Sequence, residues 1–367
     1  MPVCGPDIEP ETARNPALQL IAGRLSPDQS RADLLAIHRA LRDSRQHKRG
    51  LSLNLYIPFC ANLCYYCERC RVITKDRSQG DRYLELLEQE IRILSRHLDP
   101  GQRVEQIYLG GGTPTFLSHA ALRRLMDTLQ KHFNLLPGEI GDYCVEIDPR
   151  EADWATLGLL REIGFNRISI GLQALDPAVQ QALNRLQSHE QLQNTVDAAR
   201  ALRFHAINID IMIGLPKQRP EGFATTVETL LQWLPERLSV SFYQHRPEQF
   251  SNQRRINPED LPSAECCQRM FGDLQCALTR AGYHQIGEQA FARPDDPLAM
   301  AEEDGVLTRN IRGLTTHGHC DLLGLGVCAS SQIGPTAWRN HQQLFSYQQT
   351  VGHGELPAHN MLRGPGL

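Results

Sequence analysis

Residues 51–70 read LSLNLYIPFCANLCYYCERC. The first eight form a strand-like run, and the loop that follows carries Cys60, Cys64 and Cys67 at C-x3-C-x2-C spacing, with Cys70 just beyond. Three kinds of chemistry use cysteines this close together. Structural zinc usually joins two cysteine pairs from well-separated segments. Four cysteines inside eleven residues, with no distant partner pair, fit that poorly. Electron-carrying clusters use C-x2-C-x2-C-x3-C and ligate every iron, an order this stretch lacks. The remaining reading has three cysteines holding three irons of a [4Fe–4S] cluster and the fourth iron open. An open iron can chelate the amino and carboxylate groups of S-adenosylmethionine and pass one electron to its sulfonium, which yields a 5′-deoxyadenosyl radical. The protein then has to position the pieces and exclude side reactions.

The chain around this loop alternates strands and helices. Strand-like runs recur at VEQIYLG, DYCVEID, NRISIGLQ, AINIDIMIG and RLSVSFYQ. Helical stretches lie between them at about 82–97, 120–132, 154–163, 178–183 with 192–202, and 222–234. Strands alternating with helices argue for an α/β fold with a parallel sheet. The strand centres read as apolar at nearly every position, as in a doubly covered sheet. Glycines and polar residues gather at the strand C-termini, where a (β/α) barrel places its active site. An open doubly wound sheet fits the same rhythm. Four regions are expected: an N-terminal arm and helix over 1–50, a barrel core over 51–245, an extension packing on the barrel over 246–355, and a disordered tail over 356–367. The last helices of the extension are expected at about 263–281 and 341–351.

The chain has 367 residues and a net charge of −4, so no broadly basic surface points to nucleic acid. No apolar run approaches the roughly 20 residues of a membrane span, and the N-terminus lacks the pattern of a signal peptide. The expected location is the cytoplasm, where the eleven cysteines would be reduced thiols.

Further motifs sit at the strand ends. Gly110, Gly111 and Gly112, followed by Thr113 and Pro114, would let backbone approach the methionine end of a cofactor. Glu146, Asp148 and Asp210 suit ribose hydroxyls, Gln173 ends its strand, and Arg185 suits a carboxylate through its bidentate fork. Each also reads as a solvated loop charge or a rim salt bridge. Phe59, Tyr65 and Tyr66 could shield a cluster or simply pack in the core. His245, His317 and His319 are candidate proton-transfer groups, although lone histidines are usually structural.

Taken together, IPFCANLCYYC, GGGTPTFLS, VEIDPRE, GFNRISIGLQ, NIDIMIGLPKQ, FARPDD and RNIRGLTTHGHCDLLGLGV resemble the oxygen-independent coproporphyrinogen III oxidase family of radical S-adenosylmethionine enzymes. The resemblance runs from about residue 51 to 345. It implies an incomplete (β/α)6 radical-SAM barrel with an irregular α+β C-terminal extension. It also implies one [4Fe–4S] cluster on Cys60, Cys64 and Cys67, and two bound S-adenosylmethionines. The first would meet Gly111 and Glu146. The second would meet Tyr66, Gly112, Thr113, Gln173, Arg185 and Asp210. The implied reaction is oxidative decarboxylation of two propionates of a tetrapyrrole in heme synthesis, by a monomer served by a flavodoxin or ferredoxin. Similar barrels act as radical methylases or cyclopropane-forming enzymes, and a related branch binds heme as a chaperone. The chain departs from the family pattern at several points. Asn54 stands where a tyrosine is usual. Arg69 takes the place of a fourth cysteine, with Cys70 one step later. Glu288, Gln289 and Ala290 stand where an Asp-His pair is usual. The family's C-terminal helical domain and an N-terminal Tyr-Thr-Ser-Tyr-Pro stretch are expected to be absent.

Overall fold

The computed structural model describes residues 27–362. Helix α1 spans Pro27–His47, and the arm expected before it lies outside the described residues. Six parallel strands follow: β1 (Leu51–Ile57), β2 (Arg103–Gly111), β3 (Asp142–Ile147), β4 (Arg167–Gln173), β5 (Ala206–Ile213) and β6 (Arg237–Phe242). They pair in chain order, β1 with β2 through to β5 with β6. Sequential parallel pairing is barrel-like and differs from the reversing order of a doubly wound sheet. Helices α2 (Ser78–Ser95), α3 (His119–His132), α4 (Trp154–Glu162), α5 (Pro177–Ala182), α6 (His189–Ala201) and α7 (Pro220–Trp233) make the crossovers, and α8 (Ala264–Arg280) packs beside α7. Several begin before the first apolar residue of their pattern because a polar cap sets the start. Ser118 accepts from Ala121 N at α3, and Ser188 with Gln191 forms a capping box at α6.

The strands are not apolar throughout, contrary to the sequence reading. They alternate. Leu53 and Leu55, Ile107 and Leu109, Val145 and Ile147, Ile168 and Ile170, Ile209 and Ile211 are buried in one continuous core under the helices. The opposite face carries Asn54, Tyr108, Glu146, Ser169, Asp210 and Ser239, aligned by the register Asn54↔Tyr108, Glu146↔Ser169 and Asp210↔Ser239. Successive side chains on a strand point to opposite faces, so the concave side of the sheet is a polar lumen rather than a packed apolar barrel core.

The residues after 246 complete this sheet at both edges. On one side β8 (Ala290–Ala292) pairs antiparallel with β6, and β7 (His284–Ile286) lies outside it. On the other, β9 (Asp321–Leu325) runs parallel to β1, followed by antiparallel β10 (Ser330–Ile333), β11 (Thr336–Asn340) and β12 (Ala358–Leu362). Strand β12 overturns the expected disorder over 358–362: its backbone is ordered by a ladder to β11 that no local pattern announces. Residues 363–367 lie outside the described residues. Helices α9 (Pro297–Glu303) and α10 (Leu344–Gly352) complete the chain. A short hairpin, Thr308–Asn310 with Gly313–Thr315, carries Arg312 in its turn.

One buried carboxylate fastens β9 to β11 against the helical layer. Glu90 of α2, 2% exposed, accepts from Gly326 N (2.7 Å), Asn340 Nδ2 (2.7 Å) and Tyr347 Oη (2.6 Å). Among the described residues no helix is long and apolar enough to cross a membrane.

Candidate cofactor site at the strand C-termini

The cysteine loop leaves β1 at Ile57 and is closed by a two-residue parallel bridge, Phe59–Cys60 with Val72–Ile73. Distant side chains hold its backbone. Asn252 Nδ2 donates to Tyr65 O (2.6 Å), Cys67 O (3.0 Å) and Cys64 O (3.4 Å). Gln253 Nε2 donates to Tyr66 O (3.3 Å), and Asn184 Nδ2 to Leu63 O (2.8 Å). Cys60, Cys64 and Cys67 are free thiols, with Cys64 buried. Among the described residues only Glu105, His319 and Cys320 gather three donor atoms within 4.8 Å. At least one pair of the three loop sulfurs is therefore more than 4.8 Å apart, too wide for all three to hold a single ion, yet Cys64 and Cys67 are close enough to act on Cys60. A soft three-sulfur set at that spacing fits a polynuclear iron–sulfur cluster. The surroundings suit its negative charge: Arg150 Nη2 lies 3.6 Å and Arg185 Nη1 3.8 Å from Cys64 Sγ, and Thr113 Oγ1 lies 3.6 Å from Cys60 Sγ.

Cys70 is not part of this set. It is joined to Cys328 after β9, with Cα atoms 6.5 Å apart. This corrects the expectation that every cysteine is a reduced thiol. The chain leaving Cys67 runs across the end of β1 toward β9, which brings two sulfurs 258 residues apart in sequence into contact.

The glycines serve this loop in different ways. Gly111 has φ +111°, and its N–H points to Glu146 Oε2 (3.2 Å). Gly112 lies against the cysteine loop, where an added Cβ would come 2.6 Å from Phe59 O and 3.0 Å from Cys60 Sγ. Glu146 is itself held by Arg69, whose Nη1 lies 2.7 Å from both carboxylate oxygens and 3.2 Å from Gly111 O. Tyr108 Oη donates to Glu146 Oε1 (2.6 Å). Burial alone would raise the Glu146 carboxyl, but the charge and hydrogen bond of Arg69 outweigh it, and the group stays below its ordinary value. Arg312 stacks on Tyr108, 3.9 Å from the ring centroid, and donates to Asn54 Oδ1.

Asp148, just past β3, pairs with Arg150 Nη2 (2.7 Å) and Arg185 Nη1 (2.9 Å). Burial acts to raise its carboxyl, but Arg185 and then Arg150 hold it well below the carboxylate range. Arg185 Nη2 and Gln173 Nε2 both flank Gly171, and Gln173 itself has φ +67° at a break in the β4–β5 register. Asp210 accepts from Ser169 Oγ (2.9 Å) and Asn208 Nδ2 (2.8 Å), and burial raises it. Tyr66 lies beside Arg185 and Cys64, and burial pushes its phenol up.

The sequence-derived residues thus converge on one end of the sheet. His317 and His319 do not join them, whereas His245 follows β6 at that same end, next to Arg246, which pairs with Glu68 of the cysteine loop. His317 meets Gln106 and Asp142, and His319 meets Glu105, all at the starts of β2 and β3. His245 bonds Tyr243 (2.9 Å). Phe59 stacks on Phe116 at 5.1 Å, which is core packing. Sequence reasoning missed Arg150, Asn252 and Gln253. Arg150 was signalled by its place in the EIDPRE segment, while Asn252 and Gln253 carry no local mark.

The comparisons with known proteins agree with this geometry. Residues 54–230 match the Radical SAM superfamily. The oxygen-independent coproporphyrinogen III oxidase of Pseudomonas aeruginosa is 54% identical over 317 residues, 86% of this chain and 69% of its own length. That of Escherichia coli is 42% identical over 308 residues, 84% of this chain and 67% of its own. The solved structure of Escherichia coli coproporphyrinogen III oxidase superposes with a TM-score of 0.84 at 41% identity, covering 91% of this chain and 75% of that one. The methylase, cyclopropane-forming and heme-carrier alternatives are not favoured by these relatives. Cysteine loop, glycine cradle, parallel half-barrel and relatives lead to one conclusion: this chain belongs to the oxygen-independent coproporphyrinogen III oxidase family of radical S-adenosylmethionine enzymes, which use a [4Fe–4S] cluster and S-adenosylmethionine.

Proposed function

We propose that this chain catalyses oxidative decarboxylation of two propionate side chains of coproporphyrinogen III to vinyl groups, a step of heme synthesis. The observation that carries the reading is the pinned Cys60, Cys64 and Cys67 loop lying directly on Gly112 and Thr113, one strand from the Glu146 carboxylate. When bound, the cluster and S-adenosylmethionine together supply one-electron chemistry that removes a hydrogen atom from carbon. For each propionate, one β-hydrogen atom leaves, carbon dioxide is lost, and one electron passes to an external acceptor.

The chain's own residues would do the following. Cys60, Cys64 and Cys67 ligate iron, and Asn252 fixes the backbone between them. Gly111 and Glu146 bind one S-adenosylmethionine, whose ammonium shares Glu146 with Arg69. Tyr66, Gly112, Thr113, Gln173, Arg185 and Asp210 line the place of a second. Arg185 and Arg150 also offset the negative charge gathered at Cys64. A flavodoxin or ferredoxin supplies the reducing electron to a monomeric enzyme.

The test is anaerobic turnover of cluster-loaded protein, reduced beforehand with dithionite, with S-adenosylmethionine, coproporphyrinogen III and an added one-electron acceptor. The expected products are 5′-deoxyadenosine and a tetrapyrrole lighter by two carbon dioxides and the hydrogens lost with them. Formation of 5′-deoxyadenosine with the tetrapyrrole unchanged would refute the substrate. A loaded cluster that never cleaves the cofactor would refute the whole reading.

A further inference from the structure

Two arginines of the lumen, Arg312 and Arg339, are held by neutral groups rather than by carboxylates. Four of the arginines in and around it are paired: Arg69 with Glu146 (2.7 Å), Arg167 with Asp142 (2.7 Å), Arg185 with Asp148 (2.9 Å) and Arg237 with Asp296 (2.8 Å). Arg312 and Arg339 have no carboxylate within 4.0 Å among the described residues. Arg339 sits on β11 between Trp338 and Asn340. Trp338 belongs to the helix-side core and Asn340 bonds Glu90 of α2, so Arg339 points the other way, into the lumen. Register gives the same answer: Tyr108, Asn54, Gly324, Ser330 and Arg339 fall on one row across β2, β1, β9, β10 and β11.

Arg339 is half-buried, and its sole hydrogen bond among the described residues runs from Nε to Ser330 Oγ (3.1 Å). Its two terminal nitrogens have no partner and are not sealed from solvent. Burial pulls the guanidinium below its ordinary value, opposed by the phenol of Tyr56 at the end of β1. A cation taken out of water without a counter-ion costs free energy unless a ligand supplies the anion. Arg312 is anchored on the same row by Asn54 and the Tyr108 ring, with its remaining donors uncommitted. Gly324 lies between them on this row with no side chain of its own, and the backbone of Ser330 packs directly against it, where an added Cβ would come 2.6 Å from Ser330 O.

We propose that Arg312 and Arg339 are the substrate-anchoring pair of this chain, each taking a carboxylate of a polycarboxylate tetrapyrrole laid over β1, β9 and β10. The proposal rests on the decarboxylation reading and adds the residues that orient the substrate. A planar guanidinium binds a carboxylate through two parallel hydrogen bonds. Anchoring propionates on this side presents another propionate to the cofactor end of the lumen, where Glu146 and Arg69 stand.

The test uses cluster-loaded full chain under anaerobic conditions, with coproporphyrin III, the oxidised porphyrin, as probe and its fluorescence as signal. Arg339→Gln and Arg312→Gln should each weaken binding roughly tenfold or more, the worth of a charge-assisted hydrogen-bonded pair. Arg339→Lys should recover part of the loss, and Arg280→Gln at the exposed end of α8 should change nothing. In turnover, KM for coproporphyrinogen III should rise more than kcat falls. Iron content and circular dichroism verify folding, and if one Gln variant fails to load its cluster, the other and Arg339→Lys decide. Binding as tight as wild type in properly loaded variants overturns this proposal and leaves the decarboxylation reading intact. Wild-type protein that neither binds coproporphyrin III nor decarboxylates coproporphyrinogen III overturns both.

Discussion

Replacing Glu90 by glutamine should make the stability of this protein less sensitive to pH in one defined window. Burial pushes the Glu90 carboxyl from an ordinary 4.5 up to about 7, even though Tyr347, Gly326 N and Asn340 all donate to it. The unfolded chain ionises this group first, so as pH rises from about 4.5 toward 7 the unfolded state binds fewer protons than the native state. Stability contributed by the protonated group is full below 4.5 and is lost as pH climbs through 7. The whole displacement corresponds to about 3.4 kcal/mol, of which about 2 kcal/mol falls between pH 5.5 and 8. Glutamine cannot ionise. It also mismatches one of the three donors, which adds a pH-independent cost of about 1–3 kcal/mol. The informative quantity is therefore the difference between variant and wild type as a function of pH, read by urea denaturation under anaerobic conditions. It should move in favour of Glu90→Gln by about 2 kcal/mol from pH 5.5 to 8. A flat difference would show that the three donors hold Glu90 ionised at its ordinary value, and the argument from burial would fail.

Other outcomes follow from the cysteine loop. Asn252→Ala removes three carbonyl contacts and should cost about 1–3 kcal/mol in the folded loop, seen as faster bleaching of the cluster's visible absorbance in the presence of a chelator. Gly112→Ala should cost about 1–3 kcal/mol through overpacking against Phe59 O and Cys60 Sγ. Iron per chain after reconstitution should drop with it, and full iron loading would contradict the close approach. Asp148→Asn leaves Arg185 and Arg150 without their shared carboxylate and should destabilise by about 3–5 kcal/mol near neutral pH. Because Asp148 is held well below the carboxylate range, its contribution is present above its ordinary value of 3.8 and fades as pH falls beneath it. The gap between this variant and wild type in thermal unfolding should narrow toward acid, and a constant gap would refute the ion-pair account.

Much of the site was legible because its signals are local. Three cysteines within eight residues, a glycine triplet and carboxylates at strand ends each follow from a few adjacent letters, and all fall at one end of the sheet. What escaped was non-local. The arginine at position 69 could be marked as a departure, but its bond to Glu146 spans 77 residues, and Asn252 reaches the cysteine loop across 185–188. The polar lumen was hidden because each strand's apolar outer residues dominate a short window, as in NIDIMIG. Strand β12 was missed for another reason. AHNML carries little strand preference of its own, and the ladder to β11 makes it a strand.

The placement of the residues after 246 on both margins of the sheet bears on how the molecule comes into being. A ribosome that has released only the first six parallel strands has produced a sheet with two bare flanks, each presenting unpaired backbone groups and apolar outer rows. Such flanks recruit strands from neighbouring chains. Here they are sealed only when β8 docks on β6 and β9 docks on β1. The nascent protein therefore passes through a sticky interval that ends with its last third. A fragment stopping near residue 245 should accumulate as aggregate, however complete its cofactor motifs.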